Sequence, residues 1–224
     1  MIDFQLKIYL GLYDKAVEKA VREMTMPEDV KTEIFSFSDH KNEIPENVTA
    51  VFITDKTSLL RSAFALRKKN LRVVYCGHAE DARKVANKLE ALWPAGESIE
   101  IIKKRFMILI KNLRNEFYAW FYQNTLLATI NNMPFPTVIF SADWKIIRTN
   151  PAFEEISGIK PETVQTFNYQ HWKQEKLMPV NNSEISEYRM EKNGEIKYFI
   201  IREQEIRDIF DNISGYFLIM QDIT

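Results

Sequence analysis

The chain has 224 residues and contains few of the residue types that mark disulfide-rich or metal-binding proteins. Its one cysteine, Cys76, excludes an internal disulfide framework and fits a reducing cytoplasm. The three histidines, His40, His78 and His171, lie far apart in the sequence and have no cysteine or glutamate at ligand spacing. We therefore expect a cytoplasmic protein without a metal site.

Neither sign of charge dominates, and no long apolar run is present. The formal net charge is −1, with 46% hydrophobic and 27% charged residues, as in ordinary globular proteins of one or two domains. No apolar run approaches the ~18 residues of a membrane-spanning helix, and Asp3 and Lys7 interrupt any signal-peptide core. The composition predicts no direct nucleic-acid partner and no membrane segment in this chain.

A stretch without glycine or proline runs from Glu97 to Asn132. Apolar residues recur there at alternating spacings of three and four, which predicts one long helix with a coiled-coil seam. Such a helix would be ~54 Å long, more than one small domain can bury. We predict a signalling and dimerisation helix that pairs in parallel with a second copy; the alternative is an ordinary core helix. The predicted dimer residues are Ile102, Phe106, Leu109, Leu113 and Trp120.

Residues 1–96 alternate between apolar strands and amphipathic helices. The predicted strands are Phe4–Leu12, Lys31–Ser38, Val48–Thr54, Leu71–Gly77 and a short one at Ala91–Pro94. The predicted helices include Tyr13–Met24, Leu59–Leu66 and Ala82–Leu89. This alternation is typical of an α/β domain with a doubly wound, parallel five-stranded sheet. Ligands of such sheets bind at the carboxyl ends of the strands.

This order of elements, with Asp55 directly after the third strand, resembles the receiver domain of two-component response regulators over residues 4–110. The resemblance implies a flavodoxin-like fold in which Asp55 stands at the position of the phospho-accepting aspartate. Receiver chemistry also uses an acidic pair that holds Mg²⁺, a small hydroxyl residue and a lysine, because phosphoryl transfer depends on metal and positive charge.

The chain departs from the receiver pattern at all three supporting positions. Asp14 is the one carboxylate after the first strand, Cys76 stands where a hydroxyl residue belongs, and Trp93 replaces the lysine. We therefore predict a degenerate pseudo-receiver over residues 1–96, with Asp55 as a loop carboxylate or as the N-cap of the following helix. The alternative is a true phospho-acceptor that uses Asp55.

Residues 133–224 follow a different plan of two strands, short helices and three antiparallel strands. The segment TVIFSADWKIIRTNPAFEEISG contains a strand, a turn, a second strand, and a helix with Asn150 as cap and Gly158 as stop. Asn193-Gly194 predicts a two-residue hairpin turn. In that register Met190 lies opposite Lys197, Tyr188 opposite Phe199 and Ser186 opposite Ile201.

These features resemble the PAS domain over residues 124–224, including the final Asp-Ile-Thr with which PAS domains commonly end. The resemblance implies an α+β domain with an antiparallel sheet, in which a small ligand can lie between the sheet and the short helices. The predicted pocket residues are Phe140, Phe153, Ile156, Phe167, Trp172, Tyr188 and Phe199. The alternative is a closed core that these aromatic side chains fill themselves. Flavin–cysteine photochemistry is excluded because this half has no cysteine, and we assign no cofactor beyond an unidentified small ligand.

We interpret the chain as the sensory part of a bacterial signal-transduction protein. A pseudo-receiver (1–96), a long helix (97–132) and a PAS domain (133–224) would pass a ligand or partner signal to an output module outside this chain. By resemblance, that module is a histidine kinase, a diguanylate cyclase or a transcription activator, and this chain itself is non-catalytic. Besides the true phospho-acceptor, a self-standing protein-interaction module remains an alternative. The expected partners are a second copy of the chain and the output module or a partner protein.

Overall fold

In a computed structural model, which describes residues 2–40, 43–66, 68–159, 161–180, 187–192 and 194–224, the chain forms two compact units. Unit 1 is Met1–Trp120 and unit 2 is Phe121–Thr224. The border lies inside the long helix, whereas the predicted domain boundaries lie at its two ends. Among the described residues, no helix combines the length and the apolar character that crossing a membrane requires.

Unit 1 contains a five-stranded parallel sheet. Its strands are β1 (Phe4–Gly11), β2 (Val30–Ser36), β3 (Thr49–Thr54), β4 (Leu71–Cys76) and β5 (Ala91–Trp93). They lie in the order β2-β1-β3-β4-β5 with every neighbouring pair parallel. This is the flavodoxin-like doubly wound order, which confirms the predicted fold class.

Short helices connect the strands of unit 1. They are α1 (Lys15–Arg22), α2 (Phe37–His40), α3 (Thr57–Ala65) and α4 (Ala79–Ala82), with a 3-10 turn at Ala86–Lys88. The predicted helix from Ala82 to Leu89 is wrong, because the backbone at Val85 has a φ of −126° and interrupts the helix.

The long helix is present as α5, Ile99–Asn131. Contrary to the predicted dimer seam, Ile102, Phe106, Leu109 and Leu113 are buried in the core of unit 1, in one cluster with β1, β3 and α1 side chains. Their expected pairing with a second copy is therefore wrong, because the chain's own sheet covers them. Trp120, the fifth predicted dimer residue, is 60% exposed.

Both faces of the parallel sheet are covered, as the near-continuous apolar strands predict. Alternate residues of a strand point to opposite faces, so Ile8 joins the cluster that contains α1 and α5, while Tyr9 joins the cluster of α2, α3 and α4. The first half of α5, together with α1, thus forms one of the two layers that close unit 1.

Polar contacts fix α5 at the edge of this layer. The Arg114 Nε donates to Asp29 Oδ2 at 2.7 Å, and the Tyr118 hydroxyl lies 2.8 Å from the same oxygen. The Tyr118 hydrogen bond, followed by the Arg114 guanidinium, holds the pKa of the buried Asp29 below its ordinary value. Arg72 on β4 reaches Glu116 at 3.0 Å. These bonds tie α5 to the segment that precedes β2 and to β4.

Unit 2 contains a six-stranded antiparallel sheet. Its strands are β6 (Thr137–Ser141), β7 (Ile146–Thr149), β8 (Met178–Pro179), β9 (Glu187–Lys192), β10 (Glu195–Arg207) and β11 (Ile213–Asp222). Their order is β7-β6-β11-β10-β9-β8. Between β7 and β8 lie α6 (Pro151–Ser157), a 3-10 helix (Pro161–Thr166) and α7 (Tyr169–Lys176). Two strands, short helices and then antiparallel strands is the predicted PAS-like order.

Local signals set several elements of unit 2. Asn150 caps α6 by accepting from the Phe153 N–H, and Gly158 ends it with a φ of 72°. Helix α7 was not predicted, although Asn168 caps it in the same way. The predicted hairpin register is confirmed by the pairs Met190–Lys197 and Tyr188–Phe199. Gly194 has the expected positive φ, 83°; the predicted positions Asn193 and Ser186 lie outside the described residues.

Candidate functional site

Asp55 lies at the point of the parallel sheet where ligands of this fold bind, between the carboxyl ends of β1 and β3. Its two carboxylate oxygens accept from the Tyr13 N–H at 2.9 and 2.8 Å, and one also accepts from the Asp14 N–H at 2.9 Å. Of the two structural roles predicted for Asp55, the N-cap is wrong, because Lys56 occupies the cap position of α3. Asp55 has the other predicted role, that of a loop carboxylate, and it holds the β1–α1 loop through these hydrogen bonds.

The neighbouring groups at this edge are also engaged in the fold. The Asp14 carboxylate caps α1 by accepting from the Ala16 N–H. Burial, followed by the charges of Asp55, Asp14 and Glu97, raises the pKa of the Cys76 thiol to about 12, so this thiol is neutral at physiological pH. Within the described ranges, no group of three histidine, cysteine or acidic side chains is arranged to hold a metal ion.

In unit 2, the seven predicted pocket residues belong to one apolar cluster. Phe140, Phe153, Trp172 and Phe199 are buried, and Ile156, Phe167 and Tyr188 pack against them. Their rings contact one another and the buried Tyr169, which sequence reasoning missed: Phe140 and Tyr169 have centroids 4.8 Å apart, and Phe153 and Trp172 5.9 Å. Such aromatic pairs fill space between the sheet and the short helices.

An open cleft lies beside this cluster, between α6 and the β9–β10 hairpin. Its volume is about 450 Å³, within the ~300–1,000 Å³ typical of small-molecule sites. The lining residues are Pro134, Phe135, Pro136, Ala152, Glu155, Ile156, Lys192, Glu195, Lys197, Phe199 and Asp222. Of the predicted pocket residues, only Ile156 and Phe199 line this α6–hairpin cleft.

Two lysines give the α6–hairpin cleft its chemistry. Lys192 donates from its Nζ to the carbonyl oxygen of Glu155, which joins the hairpin to α6. The Lys197 Nζ lies 3.9 Å from Asp222 Oδ2, beyond hydrogen-bond distance. Asp222 accepts from the Thr224 N–H at 2.9 Å, and this bond lowers the pKa of its carboxyl. Among the described contacts, both ammonium groups therefore keep unused donors.

The position of Lys197 explains why the cleft is polar above an apolar floor. Strand alternation places it on the core-facing side of β10, in line with the buried Phe199 and Ile201. In the sequence, a lysine occupies a position where strand alternation predicts an apolar residue. Whether that position faces the core depends on the hairpin register.

A second cleft, of about 630 Å³, lies beside the edge strand β7. Its lining residues are Asn131, Ile146, Ile147, Arg148, Thr149, Pro151, Glu154 and Val164. Here Glu154 accepts from the Thr149 hydroxyl at 2.6 Å, and Arg148 donates to Asn131. Because the charged groups of this second cleft, Glu154 and Arg148, each bond a neighbouring side chain, whereas Lys197 bonds none among the described residues, we regard the α6–hairpin cleft as the better candidate site.

Asn150 links the α6–hairpin cleft to the end of α5. Its buried side chain accepts from the Thr137 and Phe153 N–H groups at 2.8 and 2.9 Å, and donates to the carbonyl oxygens of Met133 and Phe135. One amide thus holds together the start of α6, the start of β6 and the segment that leaves α5. The cleft wall and the segment that follows α5 are thus joined through one side chain.

The turn between β10 and β11 exposes two large apolar side chains, Ile209 at 92% and Phe210 at 77%. The turn is well ordered by its own hydrogen bonds, since Asp208 Oδ1 accepts from the N–H groups of Phe210 and Asn212. We call residues 206–213 the hairpin tip. Ile209 and Phe210 thus form an exposed apolar patch at this turn.

No protein-family model matches the chain, and no curated protein sequence matches it. Similar solved structures include an RNA-binding light-oxygen-voltage receptor, with 16% identity over 46% of this chain and a TM-score of 0.38. The chain spans 33% of that receptor's length.

Two PAS domains are further structural neighbours. The one from Bordetella pertussis BvgS has 12% identity, covers 46% of this chain and 86% of that chain, and has a TM-score of 0.37. The one from a Colwellia psychrerythraea protein has 20% identity, covers 46% and 98%, and has a TM-score of 0.34. With TM-scores below 0.5, the fold assignment of unit 2 rests on its strand order and element sequence.

Proposed function

We propose that the chain is the cytoplasmic sensory part of a signal-transduction protein. Unit 2, with its PAS-like element order, takes up a small molecule in the α6–hairpin cleft and passes the change to α5. The observation that carries this proposal is the cleft itself, where two lysines with unused donors stand above an apolar floor. The receiver of the signal would be an output module outside this chain, of the histidine kinase, diguanylate cyclase or transcription activator type.

The route of transmission is the Asn150 amide. Because it bonds both α6, which forms one wall of the cleft, and the segment after α5, a shift of α6 alters the backbone at Met133 and Phe135. An asparagine in this position has donors and acceptors for all four contacts, which no apolar residue supplies. Asn150→Ala is expected to lower stability and to uncouple ligand binding from any change at α5.

A thermal-stability screen with small amphipathic molecules tests the proposed site. Ala152 lines the cleft, so Ala152→Trp is designed to fill it, while the exposed Ala142 lies outside the lining set and gives the matched control Ala142→Trp. A genuine cleft ligand stabilises the wild type and the Ala142 variant, since a ligand that binds only the folded state raises the melting midpoint. Stabilisation that persists in Ala152→Trp would place the ligand elsewhere.

For unit 1 we propose a scaffold role as a pseudo-receiver, with no phosphoryl chemistry. Phosphorylation of Asp55 would turn one of the oxygens that accept from the Tyr13 and Asp14 N–H groups into a bridging oxygen and would add a phosphoryl group beside the β1–α1 loop. Incubation with Mg²⁺ and acetyl phosphate is expected to leave the mass of the protein unchanged. A phosphoryl adduct on Asp55 would instead support the alternative, a true phospho-acceptor.

We further propose a homodimer that pairs through the outward side of α5. Ile101 and Ile108 are exposed and one heptad apart, the spacing of a coiled-coil seam. Light scattering on wild type and Ile108→Glu tests this: the wild type is expected to be dimeric and the variant monomeric, with both folded. A wild type that is monomeric at tens of micromolar would contradict the proposed homodimer.

The hairpin tip favours a second candidate function, a protein-interaction module. Its acidic residues Asp208 and Asp211 adjoin Ile209 and Phe210, so a partner pocket would be apolar with cationic groups at its border. Phe210→Ser in the same light-scattering series shows whether a second copy is that partner. Loss of self-association in this variant, with Ile108→Glu unaffected, would move the dimer contact from α5 to the tip.

A further inference from the structure

We infer that the ligand of the α6–hairpin cleft is a small zwitterion with an apolar body, in chemical terms an α-amino acid with an apolar side chain. The inference rests on the proposed function and specifies its ligand class. Three properties of the cleft lead to it: its size and floor, its two ammonium groups, and its surplus of carboxylates.

The floor selects an apolar body. Phe199 is buried below the cleft, while Ile156 and Ala152 on α6 and Phe135 after α5 form apolar walls. A cleft of about 450 Å³ holds a branched aliphatic or single-ring side chain with room for a charged head group. Burial of such a group on these side chains supplies the non-directional part of the affinity.

The two lysines select a carboxylate. Lys192 uses one of its three donors on the Glu155 carbonyl, and Lys197 has its closest anionic neighbour, Asp222, at 3.9 Å. A ligand carboxylate placed between the two ammonium groups would accept short charge-assisted hydrogen bonds from both. With a neutral ligand in the cleft, the remaining N–H donors of the two lysines would bond to water instead.

The acidic residues select an ammonium group on the same ligand. Glu155, Glu195 and Asp222 line the cleft beside the two lysines, so the lining has one more carboxylate than ammonium. A ligand with only a negative charge would add to that surplus, and a ligand with only a positive charge would face the lysines. A zwitterion places each charge against its opposite, which is how an interface discriminates between similarly sized ligands.

Three matched probes separate the contributions of the ligand's ammonium and carboxylate groups to the affinity, which calorimetry on the full chain measures. They are L-phenylalanine, 3-phenylpropanoate, which lacks the ammonium group, and 2-phenylethylamine, which lacks the carboxylate. L-Phenylalanine is expected to bind at least about tenfold more tightly than either, because each lost charge removes hydrogen bonds to a charged partner. L-Leucine serves as the aliphatic counterpart, so that failure of one ring-bearing probe does not decide the question.

Two lysine variants identify the contact. Lys197→Met keeps the apolar stem and removes the charge, and is expected to reduce L-phenylalanine affinity at least about tenfold without weakening the binding of 2-phenylethylamine, which has no carboxylate for Lys197 to contact. Lys145→Met, which removes an exposed lysine outside the cleft lining, should change neither.

The outcomes distinguish the ligand class from the proposed site. Equal binding of 3-phenylpropanoate and L-phenylalanine overturns the ammonium assignment, and equal binding of 2-phenylethylamine overturns the carboxylate assignment. In both cases the proposed function stands if Ala152→Trp abolishes the binding. No binding of L-phenylalanine or L-leucine overturns the zwitterion inference, and the proposed function falls with it only if the amphipathic screen also finds no ligand sensitive to Ala152→Trp.

Discussion

The carboxyl edge of the sheet in unit 1 and the α6–hairpin cleft of unit 2 both present charged side chains beside apolar ones, but they differ in how those charges are used. At the edge of unit 1, Asp55 accepts three hydrogen bonds from the backbone and Asp14 caps a helix. In the cleft, Lys197 lacks a partner within hydrogen-bond distance in the described part of the chain. A charged side chain that already makes its hydrogen bonds within the fold is not a binding site, even when it lies where ligands of that fold bind.

The two units also differ in how their sheets are packed. Unit 1 closes both faces of its sheet with its own helices, the first half of α5 included. In unit 2 the aromatic cluster fills the space between sheet and helices, and the cleft beside it remains open. We therefore assign a stabilising role to the charges and apolar residues of unit 1, and a binding role to the charges of unit 2.

The largest effect is expected at Leu109, where a charge tests whether α5 belongs to unit 1. Leu109 is 5% exposed in the apolar core, while its neighbour Ile108 is 59% exposed. Leu109→Glu should lower the free energy of unfolding of unit 1 by at least ~3 kcal/mol, since it removes packing and buries an unpaired charge.

Urea unfolding at a protein concentration at which the wild type is monomeric measures this change, and Ile108→Glu is then the matched control, expected within ~0.5 kcal/mol of wild type. If Leu109→Glu were tolerated like Ile108→Glu, the helix would not be part of the core of unit 1.

A smaller loss of stability is expected from Asp55→Ala. The substitution leaves the N–H groups of Tyr13 and Asp14 without their acceptor, which should cost about 1 kcal/mol or more. Asp55→Asn keeps an acceptor oxygen and should recover part of the loss. Chemical denaturation followed by circular dichroism measures both variants; an unchanged midpoint for Asp55→Ala would contradict a structural role for this carboxylate.

The pKa of Cys76 tests whether the carboxyl edge of the sheet in unit 1 is closed to solvent. Its ordinary pKa of 9.0 is raised to about 12, chiefly by burial. At pH 9 the thiol is therefore protonated in the folded chain and half ionised in the unfolded chain, and alkylation by iodoacetamide should be at least about tenfold slower in the folded protein.

The same shift makes a pH prediction for stability. Above pH 9 the Cys76 thiol ionises in the unfolded chain before it ionises in the folded chain. The folded state is therefore most favoured below pH 9, and this advantage is lost as the pH rises from 9 towards 12. Mass spectrometry of the alkylated protein and denaturation midpoints across this range are the measurements. Equal alkylation rates in the folded and unfolded chains would show that the edge is open.

The smallest effect on stability is expected from Lys197→Met, the opposite case to Asp55→Ala. Because the Lys197 ammonium makes no hydrogen bond within the described residues, its loss should change the free energy of unfolding by no more than ~0.5 kcal/mol. Thermal and urea unfolding in the absence of ligand measure this. A loss as large as that of Asp55→Ala would mean that the lysine supports the fold and is not held free for a ligand.

Much of the fold was predictable because its signals are local. Apolar strands that alternate with amphipathic helices predict the parallel sheet, and the Asn150 cap, the Gly158 stop and the Gly194 turn mark elements of unit 2 at single residues. The dimer seam failed for a physical reason. A spacing of three and four shows that one face of a helix is buried, but the covering surface, here the chain's own sheet around Phe106, lies far away in sequence.

The candidate site was less accessible to sequence reasoning. Phe199 and Ile156 were predicted as pocket residues because they are apolar and core-facing, and the structure places both at the cleft. Lys192 and Lys197 were missed because their role depends on which side of the hairpin they occupy and on the distance to α6. The structural role of Asp55 was likewise hard to predict, because its carboxylate bonds backbone N–H groups more than 40 residues away in sequence.

Hydrogen–deuterium exchange of the full chain, with and without L-phenylalanine, tests the central contrast most directly. Ligand in the α6–hairpin cleft should slow exchange at 152–156 and 195–199, and, through Asn150, at 133–135, while residues 11–14 and 54–56 at the edge of unit 1 stay unchanged. Slowed exchange at the edge of unit 1, with none around the cleft, would contradict the division of the two charged regions into a structural and a binding one.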